Sequence, residues 1–320
     1  MATRGSPFRR NASVTGTLLW PEVPVLHLRH CIFTAVFALA SLCGCTKDAV
    51  PVAQSATDDF GETFAVGAPT PRIVSLNPTT TELLFALGAG DRLVGRTTYD
   101  HYPDEARKVA DLGPGLRPNV EAILATHPSL VLLYASEDNR DAARRLRAAG
   151  IATAAFRVDR ISDFERVTLI LARLIGDSAK GVATVDSVRK TLEHVRTASA
   201  ALKHPKVFWP LWDAPLLTVG HGSYLNELIT IAGGENVFDD LLPPSPSVTF
   251  EELLHRDPDF VLVGPTSRAR ILADPRWQTL RAVREGHVLV VDTTIMIGPS
   301  VRVGSSAVSL ARLLHPDGRY

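Results

Sequence analysis

The chain has 320 residues, and its 34 Lys and Arg balance 34 Asp and Glu for a formal net charge of +0. Hydrophobic residues make up 45% and charged residues 21%, which fits a globular protein long enough for two domains and excludes disorder throughout. A neutral chain without a basic stripe argues against nucleic-acid binding, and no apolar run reaches the roughly 18 residues of a membrane-spanning helix.

The three cysteines, Cys31, Cys43 and Cys45, all lie near the N-terminus. The body therefore has no disulfide, no thiolate metal cluster and no cysteine nucleophile. They fall in "HLRHCIFTAVFALASLCGCTKD": a basic flank at Arg29 and His30, an apolar run, then small residues, the plan of a secretory signal. The ending Leu42-Cys43-Gly44-Cys45 resembles the bacterial lipobox. That resemblance implies cleavage before Cys45, acylation of its sulfur, and an exported protein held at a membrane by its lipid; the residues alone also admit a non-lipidated signal. Residues 1–45 are thus leader and signal. A signal opens on its charged end, so residues 1–24 read as lying upstream of the true translation start, near Val25. Residues 46–71, rich in Ala, Pro, Thr and Asp and without periodicity, read as a flexible tether.

From Arg72 onward, short β-branched runs alternate with helical ones. "RIVSL" predicts a strand, and "TTTELLFAL" a helix capped from Thr79 to Glu82 and stopped at Gly88. "DRLVG", "NVEAILATH", "SLVLLYA", "RDAARRLRAAG" and "IATAAFRV" continue the alternation, which predicts a mostly parallel sheet covered by helices. A proline-free helical stretch runs from Ser162 to about Leu202, with a capping pattern from Ser162 to Glu165 and a break at Gly176-Asp177. Its second piece lines up Val182, Val185, Val188, Leu192 and Val195 as one apolar stripe. About 25 residues at roughly 1.5 Å each make a strut of about 37 Å. From Lys206 the plan repeats in "KVFWPL", "LLTVG", "SYLNELITIAGG", "TFEELLHRD" and "DFVLVG". Glu121 and Pro128 recur as Glu251 and Pro258, each 130 residues later and each followed by an apolar strand. The fold class is therefore α/β: two similar lobes with mostly parallel sheets, residues 72–160 and 205–320, joined by one long rigid backbone helix within the connecting helices over 161–204. Two lobes on a stiff connector leave a cleft, a favoured place for a ligand.

The segments "RIVSLNPTTTELLFALGAGDRLVG", "TTYDHYP", "NVEAILATHPSLVLL", "GGENVF", "VTFEELLHRDPDFVLV", "HVLVVD" and "ARLLHP" run in order through residues 72 to about 315. They resemble the iron- and cobalamin-type solute-binding proteins of ABC importers, with a helical backbone between the lobes. Order and spacing look closest to cobalamin-binding members. The resemblance implies a monomeric receptor that captures a cobalt corrinoid, or alternatively haem or a ferric siderophore, and delivers it to a permease with its ATPase. The metal would arrive with the ligand, so no resident cofactor is implied. Asn77, Pro78 and Thr79 are expected at the cleft mouth, where free N–H groups at a helix start can bond a ligand edge. Tyr99 falls where relatives place a ring against the ligand. Tyr134, Trp209 and Trp212 follow or interrupt apolar runs that should end at the cleft, and ordinary core packing is the competing reading for each. Asp292 remains in the last cleft loop, "DTTIMIGPSVRVG", where relatives often carry arginine; here Met296 and Ser300 stand there and Arg302 lies further along. Relatives also often carry a Trp where this chain has "DLGPGLRPN". An arginine-poor cleft suits a less anionic ligand. The family pattern further implies that Glu121 and Glu251, one on each lobe at a helix start, pair with permease arginines.

Direct metal binding finds little support, because the mature histidines include no i, i+4 pair; His101 and His221 would have to meet across the cleft. An exported enzyme is the reading from another class. The chain carries no Gly-x-Ser-x-Gly elbow, no P-loop and no Gly-x-Gly-x-x-Gly, and nothing orients Asp100 and Asp292 as a carboxylate pair, so no catalytic residue is assigned.

Overall fold

In the computed structural model, which describes residues 54–67 and 70–320, the chain opens with an antiparallel hairpin of β1 (Gln54–Thr57) and β2 (Thr63–Val66). This corrects the expectation of a flexible tether over 46–71, since residues 54–66 are ordered. Period-2 alternation too short to stand out explains the difference: Ala56, Phe64 and Val66 point inward while their neighbours face solvent. Buried Asp58 then stitches the hairpin to the body. Its Oδ2 accepts from the Ala155 N–H at 3.0 Å, and its Oδ1 closes the turn through the N–H groups of Phe60 and Glu62.

The first parallel sheet contains β3 (Ile73–Leu76), β4 (Leu93–Gly95), β5 (Leu130–Tyr134) and β6 (Ala152–Phe156), in the order β4-β3-β5-β6. Its helices are α1 (Pro78–Ala86), α2 (Val120–Ala125) and α3 (Glu137–Ala148). Strand β3 is buried throughout, as a strand covered on both faces must be. The expected Thr79–Glu82 cap is not what starts α1. Pro78 occupies the first turn and Asn77 is the N-cap, its side chain accepting from the Thr79 N–H at 3.1 Å. Glu82 is thereby freed for a distant partner.

Two helices cross from one sheet to the other: α4 (Ile161–Ile175) and α5 (Ser178–Ser199). The break falls at Gly176, whose φ of 86° is the left-handed end common after helices. Helix α4 starts ahead of the expected Ser162, with Asp163 accepting the N–H groups of Asp159 and Arg160 and Glu165 pairing with Arg189. The stripe holds for Val185, Val188, Leu192 and Val195, whereas Val182 is 50% exposed.

Beyond the helices come β7 (Lys206–Phe208), the hairpin β8 (Pro210–Asp213) and β9 (Leu216–Thr218), α6 (Tyr224–Ile231), β10 (Glu235–Asn236) and α7 (Phe250–Arg256). The chain ends through β11 (Phe260–Val263), α8 (Arg268–Ala273), α9 (Arg281–Arg284), β12 (Val288–Val290) and α10 (Val303–Leu314). The second parallel sheet is ordered β10-β7-β11-β12. The repeat seen in the sequence is structural: α2 and α7 begin at capping residues Asn119 and Thr249 and lead to equivalent strands β5 and β11. Both sheets belong to one compact unit, Ala53–Tyr320.

Candidate functional site

In parallel α/β sheets, ligands collect beyond the carboxyl ends of the strands. In the first sheet those ends lead into Asn77, Arg96, Ala135 and Arg157, and in the second into Trp209, Gly264 and Val291. The two sets of ends approach one another. A Cβ placed on Gly298, beyond β12, would sit 2.9 Å from Thr79 Oγ1 and 3.4 Å from the Val158 carbonyl oxygen. Gly298 also has φ 155° and ψ 164°, a conformation essentially confined to glycine. Four residues on, Arg302 reaches Glu82 of α1 through two bonds, at 2.7 and 3.1 Å. The same guanidinium donates to Thr294 Oγ1 at 2.7 Å and lies 4.6 Å from the centre of the Tyr102 ring. Arg160 and Glu227 add a second bond between the halves, at 2.6 Å.

Each half carries an exposed ring beyond its sheet. Tyr99, in the loop after β4, is 54% exposed, and Trp212, in the β8–β9 hairpin, is 64% exposed. Trp212 is held by its Nε1, which donates to the Ala214 carbonyl at 3.0 Å. It lines a cavity of about 400 Å³ with Pro210, Leu211, Asp213, Gly264 and Arg270. Arg270 and Asp213 form an ion pair on that wall.

The other expected residues divide. Trp209 is 1% exposed and belongs to the main core cluster, so it presents no surface to a ligand here. Asn77 and Thr79 are also buried, because the Gly298 segment lies against the start of α1, while Pro78 stays partly open. The expected free helix-start N–H groups are therefore covered, although the Asn77 Nδ2 lacks a partner. Tyr134, at the end of β5, is half-buried and donates to Asp159 Oδ1 at 2.8 Å; burial first, then Asp159, pushes its pKa up to about 12. Asp292 is exposed and caps a short turn through the Thr294 N–H at 2.9 Å. Glu121 and Glu251 are exposed in the first turns of α2 and α7. Cys45 lies outside the described residues.

The sequence held no sign of Tyr102, placed Glu82 in a helix cap, left Arg302 beyond the cleft loop and had nothing to orient Asp100; none of the four was expected in its observed role. No local signal pairs positions 220 apart in the chain. Asp100 is 1% exposed and accepts from the Thr81 and Thr97 hydroxyls, at 2.6 and 2.5 Å. His221 turns to Asp239 at 2.9 Å, and among the described residues no His, Cys, Asp or Glu cluster is placed to hold a metal ion.

A sequence model of the periplasmic binding proteins matches residues 73–294, which spans both sheets. The chain belongs to the periplasmic binding protein family. Among the relatives of this binding protein, the vitamin B12-binding protein of Vibrio parahaemolyticus is 24% identical over 255 residues, 78% of this chain and 92% of that one. The vitamin B12-binding protein of Yersinia pestis is 30% identical over 199 residues, 61% and 70% of the two chains. Of solved structures, the periplasmic vitamin B12 binding protein of Vibrio cholerae aligns with a TM-score of 0.67 at 24% identity, covering 77% of this chain and 97% of that one. The periplasmic heme-binding protein of Roseiflexus sp. RS-1 aligns at 0.71 with 22% identity, covering 78% and 99%. At those identities the solved structures establish the two-lobed α/β fold of the binding protein and leave its ligand to its own residues. The family is one of substrate-binding transport proteins, not enzymes.

Proposed function

We propose that this binding protein captures cobalamin or a related corrinoid between its lobes and delivers it to an ABC permease. The carrying observation is the pair of exposed rings, Tyr99 and Trp212, beyond the carboxyl ends of the two sheets. A planar macrocycle is a ligand that one ring from each lobe can cover. An aromatic side chain buries about 150–250 Å², so covering the exposed part of each contributes about 2–4 kcal/mol before the costs of association. Relatives named as vitamin B12-binding proteins support the corrinoid. Arg270 is already paired with Asp213, and Arg302 with Glu82, which favours a ligand of low negative charge over an anionic siderophore.

Haem is the second reading, supported by heme-binding proteins among the structural neighbours. Tyr134 is a poor iron ligand because its hydroxyl is engaged by Asp159 and resists ionisation; the exposed phenols of this loop are Tyr99 and Tyr102. Glu121 and Glu251 would dock the permease arginines, since both are exposed at repeat-related helix starts. Acylated Cys45 would hold the protein at its membrane.

Calorimetric titration with cyanocobalamin, cobinamide and hemin tests the ligand. One-to-one binding of both corrinoids identifies a receptor that reads the ring rather than the nucleotide tail. Binding of hemin alone transfers the function to haem, and binding of none removes both.

A further inference from the structure

A buried carboxylate sits beside the exposed Tyr99 and makes no contact that binding itself requires. Asp100 is 1% exposed, while Tyr99, its neighbour in the chain, is 54% exposed. Oδ1 of Asp100 accepts from Thr97 Oγ1 at 2.5 Å; Oδ2 accepts from the Thr97 N–H at 3.2 Å and from Thr81 Oγ1, on α1, at 2.6 Å. Thr97 Oγ1 in turn accepts the Tyr99 N–H at 3.1 Å, and the Asp100 N–H donates to the Thr97 carbonyl at 3.2 Å. The loop is closed on itself and tied to the helix that bears Glu82.

Leaving a carboxylate in so dry a place is unfavourable, and burial does raise the Asp100 carboxyl above its ordinary range despite its donors. A loop that only had to reverse direction would not need it. We propose that Asp100 is a positioning residue that presents the Tyr99 ring to the ligand, an inference that rests on the receptor function given above. The carboxylate orders the backbone on either side of Tyr99 and leaves the ring itself free, so the ring meets a ligand with little loop entropy left to lose.

The arrangement distinguishes two substitutions. Asp100→Asn keeps the shape: its oxygen can accept from Thr81 and the Thr97 N–H, and its amide can donate to Thr97 Oγ1. Asp100→Ala leaves the Thr97 hydroxyl and N–H without an acceptor and Thr81 Oγ1 with only the Asn77 carbonyl, at 3.4 Å. Hydrogen exchange at the Tyr99 amide in ligand-free protein, together with cyanocobalamin affinity, tests the role. Expected are exchange about tenfold faster and affinity about tenfold weaker for Asp100→Ala, with both within about threefold of the parent for Asp100→Asn. Tyr99→Ala combined with Asp100→Ala should bind no more weakly than Tyr99→Ala alone. Should Asp100→Ala fail to fold, Thr81→Val removes a single donor at constant shape and should produce the same two changes at about fivefold, beyond the tolerance set for Asp100→Asn. Unaltered exchange in Asp100→Ala or Thr81→Val, or losses of affinity that simply add with Tyr99→Ala, would overturn the proposal. Exchange needs no ligand, so it decides the loop's role even when the parent binds no corrinoid, a result that would refute the ligand reading alone.

Discussion

Replacing Arg302 by Met is the most informative test of how the two halves are held together. Arg302 and Glu82 meet through two bonds at 2.7 and 3.1 Å, with side-chain exposures of only 19% and 5%. Removing the guanidinium leaves a carboxylate in the interior without its counter-charge. Breaking a buried pair on one side costs about 3–5 kcal/mol. Arg302 retains some water, which places this pair near the lower figure, about 3 kcal/mol. At about 2–4 °C per kcal/mol for a domain near this size, the melting temperature of Arg302→Met should fall by about 6–12 °C. Adding Glu82→Leu should restore more than half of that loss, because a shape-matched apolar pair no longer has a charge to bury. Thermal unfolding of the two variants and the parent measures both effects. A loss below about 1 kcal/mol for Arg302→Met, the worth of a solvated surface pair, would refute the reasoning.

The two tryptophans near β8 should behave oppositely. Trp212→Ala should weaken cyanocobalamin binding by at least about tenfold while leaving the urea midpoint nearly unchanged, since its ring is 64% exposed. Trp209→Ala should cost about 3–5 kcal/mol of stability, as removal of a large core side chain does, and equal stability losses for the two would contradict their placement. Glu121→Gln with Glu251→Gln should leave ligand affinity intact and abolish uptake in cells that depend on the permease; normal uptake would dismiss the docking role. Asp100 sets a pH dependence. Burial, opposed by the hydrogen bonds from Thr81 and Thr97, raises its carboxyl above the ordinary 3.8, so the folded protein holds a proton that the unfolded chain releases. The stability linked to that proton is complete below the unfolded value and is lost as pH rises through the folded one. Asp100→Asn should therefore be the more stable form at neutral pH, with an advantage that shrinks on acidification; urea midpoints would show the advantage growing on acidification if this sign were wrong, and constant if the carboxyl were unshifted.

Much of the fold was legible because it is encoded locally. The buried run of β3, the glycine that ends α4 and the stripe from Val185 to Val195 each express a period or a backbone preference contained in a few neighbouring residues. The repeat at Glu121 and Glu251 was equally visible, because each copy carries its own cap and strand. The helix starts were less so: Asn77 and Asp163 displaced the expected caps, where several Asn, Thr, Ser and Asp side chains compete within one turn.

The candidate site divides along the same line. The family resemblance pointed to Tyr99 and the ends of apolar runs to Trp212, but the same run-end argument pointed equally to Trp209, which is core, a distinction that depends on which face of the segment meets the second sheet. The Glu82–Arg302 bond, the Gly298 contact over Thr79 and the carboxylate under Tyr99 arise between segments that the chain separates widely or turns into contact through loops. Sequence alone determined that this protein has two α/β lobes on a helical connector, because periodicity and capping act over a few residues, and its ordered segments carried the resemblance to the family that the match over residues 73–294 shows. Tertiary structure decided which polar groups are buried, which rings stay exposed and where the halves are bonded, because desolvation and long-range contact exist only once the distant segments have packed.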